Sequence, residues 1–199
     1  MSRKNPVMYQ FLRFIGSPLF KWYFNLKIIN KNVIFKDGPV IFCGNHRHFM
    51  DQFPVIASTS RTIHWMSKKE YFEGRTKYFF KLVGCIKVDR QAHDGVAKKE
   101  AIDYLKSKSA VGLFPEGTRN RTEEELLPFK NGAVKMAKEV GCPIIPFAVN
   151  GDYKFRSKNL IVRFGQPIIV NKNDKIEDST KKLRDEILKL QRQNYKDGK

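Results

Sequence analysis

Val40-Ile41-Phe42-Cys43-Gly44-Asn45-His46-Arg47-His48-Phe49-Met50-Asp51 decides how this chain is read. An uninterrupted apolar run stops at a glycine, and an imidazole comes two residues later with a carboxylate five residues beyond it. The run has the length and composition of a buried strand, and the Asp37-Gly38 pair before it supplies a turn. The residues after Gly44 are polar and chemically equipped. A carboxylate that holds one ring nitrogen of a histidine fixes its tautomer and stabilises the imidazolium formed when the other nitrogen takes a proton. The residues alone leave a second reading open, in which His46 and Asp51 merely cap the next helix. His48, three residues from Asp51, competes with His46 for the carboxylate.

Outward from this block the chain alternates between the two periodicities. Strands are expected at 33–36, 39–43, 62–66, 85–88, 110–114, 143–149 and 160–164. Helices are expected at 51–58, 69–82, 94–108 with Asp94 as N-cap, 130–140 and 176–195. Alternation of this kind predicts a single α/β domain with a largely parallel mixed sheet flanked by helices. In such sheets sites form beyond the carboxyl ends of strands. Three segments lie there: His46 to Asp51, Arg90 after strand 85–88, and Glu116, Gly117, Thr118 and Arg119 after strand 110–114. Guanidinium groups at Arg90 and Arg119 suit a phosphate, through paired planar hydrogen bonds. Salt bridges of Arg90 with Asp89 or of Arg119 with Glu116 are the competing structural reading. Glu116 suits a substrate hydroxyl or the organisation of the arginines, and Gly117 suits a tight turn.

The chain has 199 residues, enough for one sizeable core, and 38 lysines and arginines against 20 acidic residues give a formal net charge of +18. That excess calls for an anionic partner: nucleic acid, an anionic membrane surface or a phosphorylated substrate. Cys43, Cys85 and Cys142 are isolated, so no zinc site is expected and buried, reduced thiols fit a cytoplasmic compartment. Residues 1–36 hold seven lysines and arginines, eight aromatic residues and no acid. Gly16-Ser17-Pro18 divides them, so two short helices are expected, near 6–15 and 18–30, with an interfacial, membrane-docking character. The organisation expected is thus 1–32 as amphipathic docking helices and 33–199 as the catalytic domain. No secretory signal is expected, because Arg13, Lys21 and Lys27 interrupt the apolar stretch. Gly-x-Ser-x-Gly, Walker and dinucleotide patterns are absent, which disfavours a covalent serine hydrolase and suits direct transfer to a substrate hydroxyl.

Asn45, His46 and Asp51 match an NHxSxxD block. Gly84, Ile86, Val88, Asp89 and Arg90 match GxIxVDR, and Phe114 through Arg119 match FPEGTR. Pro128-Phe129-Lys130-Asn131-Gly132 and Pro143-Ile144-Ile145-Pro146 come next in order. On these residues the chain resembles the glycerophospholipid acyltransferases, and within them the 1-acyl-sn-glycerol-3-phosphate (lysophosphatidic acid) acyltransferases, from about Val40 to Val149. The resemblance implies that His46, oriented by Asp51, deprotonates the sn-2 hydroxyl of lysophosphatidic acid. It implies that Arg90 and Arg119 bind the phosphate, that Glu116 meets the glycerol region with Gly117 and Thr118 beside it, and that Pro143–Pro146 supports the site or the acyl path. The acyl donor would be acyl-CoA or an acyl carrier protein thioester, the product phosphatidic acid, and no cofactor or metal would be required. The enzyme would sit peripherally on the cytoplasmic face of the cell membrane. His48 departs from the family's serine, which bears on the hydrogen bonding around His46. Other lysophospholipids or glycerol 3-phosphate stay open as acceptors. A non-catalytic basic module for anionic lipid or nucleic acid is the competing class, with no nucleic acid expected.

Overall fold

In a computed structural model, which describes residues 7–89 and 95–198, the apolar run of the central block becomes a strand buried at every position. This strand, β2 (Val40–Gly44), sits inside a seven-stranded sheet. The chain order is α1 (Val7–Phe24), β1 (Lys27–Ile29), β2, α2 (Gln52–Ile56), β3 (Ile63–Lys68), α3 (Lys77–Leu82) and β4 (Ile86–Val88). It continues with α4 (Gly95–Lys106), β5 (Ala110–Leu113), α5 (Gly132–Val140), β6 (Ile144–Asn150), β7 (Ile161–Phe164) and α6 (Ile176–Asp197). The sheet order is β1-β7-β6-β2-β5-β3-β4. Strands β2 to β6 are mutually parallel, while β7 runs antiparallel to β6 and carries β1 with it.

Period-two alternation sends β2 side chains to two cores. Ile41 and Cys43 join α4, α5 and α6 on one face; Val40 and Phe42 join Trp65, Phe147, Phe164 and the end of α1 on the other. Coverage on both sides is why β2, β5 and β6 are continuous apolar runs rather than alternating ones. On the second face the packing leaves no room for a side chain at two glycines. A Cβ on Gly44 would overlap the Phe147 ring, and one on Gly112 would lie 2.7 Å from Trp65. Helix α6 is fixed to the sheet by polar contacts as well as by Leu183, Ile187 and Leu190. Asn194 donates to the Ala148 carbonyl at 3.1 Å and accepts from Arg163 Nε at 2.9 Å.

The expected α/β domain with its mostly parallel sheet is what forms, but the N-terminal segment differs in detail. The two helices expected around Gly16-Ser17-Pro18 are one helix, α1, with Pro18 inside it. Proline removes the bond to the Phe14 carbonyl. Phe14 is itself 75% exposed, so the residue that loses this bond stands on the outer side of the helix. The helix stops at Phe24, before Asn25 in a left-handed conformation. Lys27–Ile29, expected to be helical, instead pair with Ile161–Arg163 as an edge strand, and the β-branched Ile28 and Ile29 favour that state. The strand expected at 33–36 is absent: Lys31–Val33 form a 3₁₀ turn and 34–36 lead into the Gly38 turn. The sheet therefore begins at Lys27, within the segment assigned to the docking helices. Residues 69–82, expected as one helix, are two 3₁₀ turns followed by α3, and Gly74, which opens the second turn, stands at φ +61°. No helix among the described residues is long and apolar enough to cross a membrane.

Gly44→Ala should cost about 1–3 kcal/mol through overpacking against Phe147. Urea melts should show a lower midpoint at unchanged slope; an unchanged midpoint would mean that the ring gives way freely.

Candidate active site

Parallel strands carry their carboxyl ends to one edge, and the order β2-β5-β3-β4 sets the spacing there. The ends of β2 and β5 are neighbours, so the loop after Gly44 and the loop after Leu113 touch. The end of β4 is three strand spacings from β2, roughly 14 Å. The first and third motifs therefore build one wall, and the second faces them across a gap.

The Asn45–Asp51 loop is held by its own side chains. Asn45, 1% exposed, exchanges two 2.8 Å hydrogen bonds with the Val149 backbone and so extends the β2–β6 ladder through a side chain. His46 Nδ1 lies 3.1 Å from Asp51 Oδ2, and that same oxygen accepts from the Arg47 and His48 backbone amides, each at 2.7 Å. Asp51 is 3% exposed and does not cap α2; its carboxylate turns back into the loop that precedes it. His48 competes for Asp51 only through its backbone. Its imidazole Nδ1 accepts from the Met50 amide at 3.3 Å and its ring stacks on Tyr153. The second carboxylate oxygen of Asp51 accepts from the Tyr153 hydroxyl at 2.9 Å.

The His46 ring lies flat on Phe114, with centroids 3.9 Å apart at 8°. With Asp51 ionised, Nδ1 is the donor and Nε2 is left as the basic nitrogen. Nε2 takes no hydrogen bond from the described residues, and His46 lines a cavity of about 1820 Å³.

Glu116 is buried, and both its oxygens are engaged by main chain: Oε1 accepts from the His46 amide at 2.8 Å and Oε2 from the Leu127 amide at 2.9 Å. Burial raises its proton affinity, against which the two amide donors and the nearby His46 and Arg47 act. Its carboxylate thus braces the His46 loop against the 114–127 loop rather than pairing with Arg119. The Asn120 amide, donating to the His46 carbonyl at 2.6 Å, adds a second tie. Gly117 adopts φ +70°, a conformation that glycine takes without strain. The Lys130 stem passes over it, close enough to meet an added Cβ at 2.9 Å.

Thr118 and Arg119 line the cavity, joined by Arg121, Lys130 and Lys135. Its lining also includes apolar side chains: Leu12 and Phe20 from α1, Phe53 from α2, and Phe79 and Phe80 from α3. Asp89 beyond β4 also lines it and pairs with Lys69 at 2.8 Å. Arg90 and Asp94 lie outside the described residues. Of the cysteines, Cys43 and Cys142 are buried, and Cys85 is half-buried in the cavity wall with its thiol pushed up to about 11 by burial. The buried His64 bonds the Gly84 carbonyl through Nδ1 at 2.7 Å and stacks on Tyr104, away from this site. Tyr153 is the residue that sequence reasoning missed. It stands 102 positions from Asp51 in an ordinary Gly-Asp-Tyr turn, and nothing in its spacing points to a carboxylate.

A model of the family described as Acyltransferase matches residues 25–150, a span that holds all three motifs. The 1-acyl-sn-glycerol-3-phosphate acyltransferase of Bacillus subtilis is 30% identical over 149 residues, covering 72% of this chain and 73% of its own. The enzyme of the same name from Borreliella burgdorferi is 29% identical over 183 residues, covering 84% and 73%. The crystal structure of the 1-acyl-sn-glycerophosphate acyltransferase from Thermotoga maritima superposes with a TM-score of 0.70 at 20% identity, over 92% of this chain and 76% of that one, a likeness of fold. The matched span starts where α1 ends and stops with β6, so it encloses the whole strand-end edge on which His46, Asp51 and Glu116 meet. This chain belongs to the acyltransferase family and is an O-acyltransferase.

Proposed function

We propose that the protein transfers a fatty acyl group from an acyl thioester to the sn-2 hydroxyl of 1-acyl-sn-glycerol-3-phosphate, giving phosphatidic acid. The observation that carries this reading is a cavity-lining histidine with one nitrogen held by a buried carboxylate, in a cavity whose lining combines cationic and apolar side chains. A lysophosphatidic acid has the matching halves. Its phosphate suits Arg119, with Arg90 as the second guanidinium, and its chain suits the wall of Leu12, Phe20, Phe53, Phe79 and Phe80. The names of the bacterial relatives support the same acceptor.

In this reaction His46 Nε2 takes the proton of the sn-2 hydroxyl as the oxygen attacks the thioester carbonyl. Asp51 holds Nδ1–H and stabilises the imidazolium without itself being protonated. The tetrahedral intermediate collapses with cleavage of the C–S bond, and the departing thiolate of coenzyme A or of a carrier protein recovers the proton from Nε2. No covalent enzyme intermediate is needed. Glu116 acts through position: by fixing the His46 amide it sets where the imidazole stands over Phe114. Gly117 and Thr118 shape the loop that presents Arg119.

The enzyme works at a membrane surface, peripherally and on the cytoplasmic side, where both its acceptor and its product reside. Helix α1 supports this placement. Phe11, Phe14, Leu19 and Trp22 are 58%, 75%, 58% and 61% exposed, an apolar face on a chain of net charge +18.

Purified protein given lysophosphatidic acid and either acyl-CoA or acyl carrier protein thioesters should yield phosphatidic acid by mass spectrometry; no product from either donor overturns the reading. His46→Ala should lower kcat by roughly 10²–10⁴-fold at unchanged melting temperature. Asp51→Asn should lose most of the activity through a misplaced tautomer. Arg119→Gln should act on binding, raising KM for the acceptor roughly tenfold or more with a smaller change in kcat. Docking is best tested on the surface, because removing residues 1–30 would also delete edge strand β1. A Phe11→Ser, Phe14→Ser, Trp22→Ser triple variant should lose flotation with anionic liposomes while keeping its fold; undiminished flotation would rule out α1 as the docking face.

A further inference from the structure

The two oxygens of Asp51 are held from different parts of the chain. Oδ2 is fixed locally, by His46 and two adjacent amides, whereas Oδ1 takes the hydroxyl of Tyr153 from the turn between β6 and β7. A carboxylate rotates over a broad, roughly two-fold torsional profile. A donor on Oδ1 therefore sets the plane in which Oδ2 meets the imidazole. Tyr153 is itself held by two rings: it stacks on His48 with centroids 4.5 Å apart at 22°, and packs edge-to-face with Phe24 at 5.8 Å and 84°. Burial and the adjacent carboxylate push its phenol far above the ordinary range, so the hydroxyl remains a proton donor.

The same turn grips the end of α1. The Phe155 ring packs edge-on against Tyr23 at 5.0 Å and against Trp22 at 6.0 Å, and the Arg156 amide donates to the Tyr23 carbonyl at 2.6 Å. The turn is also braced at its base. The Asp152 amide donates to Asn159 Oδ1 at 3.1 Å, and a Cβ on Gly151 would run into the Asn159 backbone. One short turn thus has two attachments, to the last turn of α1 and to the carboxylate beside His46.

We infer that Tyr153 is a positioning residue for acyl transfer, and that the 151–157 turn relays the seating of α1 to the orientation of Asp51. The inference rests on the proposed acyl transfer to lysophosphatidic acid. A displaced α1 end carries Tyr23 and Phe24 with it, and these are the groups against which Phe155 and Tyr153 are packed. An α1 seated correctly keeps the Tyr153 hydroxyl on Oδ1, and the dyad keeps its geometry.

The test is a double-mutant cycle of Tyr153→Phe, which removes only the hydroxyl, and Phe24→Leu, which loosens the seat without touching the dyad. Kinetics use lysophosphatidic acid and acyl-CoA or acyl carrier protein thioester. Long-range ¹H–¹⁵N spectra of histidine-labelled protein report the His46 tautomer, with His46→Ala assigning its signals among the four histidines. Tyr153→Phe should lower kcat roughly tenfold, the order of one hydrogen bond to a charged group, with acceptor KM unchanged. Its His46 should leave the single Nδ1–H tautomer. Phe24→Leu should lower the same parameter less, and the double variant should fall no further than Tyr153→Phe alone. Wild-type kcat and an unchanged His46 pattern in Tyr153→Phe overturn the positioning role; losses that multiply in the double variant overturn the relay. Should the wild-type protein not acylate lysophosphatidic acid, the acceptor reading fails, and the tautomer spectra of both single variants still decide the positioning role and the relay.

Discussion

Asp51 is the point on which the site depends. A carboxylate 3% exposed is tolerable only if its charge is met by donors, and four converge on it: an imidazole, two backbone amides and a phenol. The two amides bend the 46–51 loop into a hook, so the residues that satisfy the charge are also those that place His46. Glu116 repeats the device one loop away, using amides of His46 and Leu127. Two buried acids thus act as knots, Asp51 within its own loop and Glu116 between two loops, and in a chain with 38 cationic side chains both take main-chain donors.

The sheet supplies what the knots need. Because β2 and β5 are adjacent and parallel, their loops leave the same edge side by side, with Cys43 level with Leu113. Asn45 then ties the first of these loops to β6, so the site is framed by three strands of the core. The cavity lining reaches Val88 and Asp89 at the end of β4. The lining is drawn from several elements: Arg119 from a strand-end loop, Lys135 from α5, and Leu12 and Phe79 from α1 and α3.

Much of this was legible because it rests on local pattern. Buried parallel strands are unbroken apolar runs, and Val40–Cys43, Ala110–Leu113 and Ile144–Val149 could hardly be anything else. His46 with Asp51, and the Glu116–Arg119 block, were readable from their positions after such runs. The hidden part is non-local. Pro18 suggests a break, yet its cost depends on which way the Phe14 carbonyl faces, and that is set by packing. Ile28 and Ile29 become a strand rather than a helix end because β7 presents an open edge, which no window around Lys27 reveals. The bracing contacts of Glu116 were hidden for the same reason, since its partner amide at Leu127 is brought by a loop. Tyr153 could not be found at all: a tyrosine after Gly-Asp advertises nothing until the fold lays it against a carboxylate a hundred residues earlier.

Helix α1 shows one side to the cavity through Leu12 and Phe20 and the other to the exterior through Phe11, Phe14 and Leu19. The partition between pocket and outer surface is therefore a single helix, about 10 Å thick. In the membrane placement and reaction proposed above, with the bilayer against that outer side, the length of the trip matters more than its direction. A one-chained acceptor tolerates brief contact with water, whereas a two-chained product does not. Leaving sideways past one helix, such a product would pass from a protein wall to a lipid one and never be dissolved.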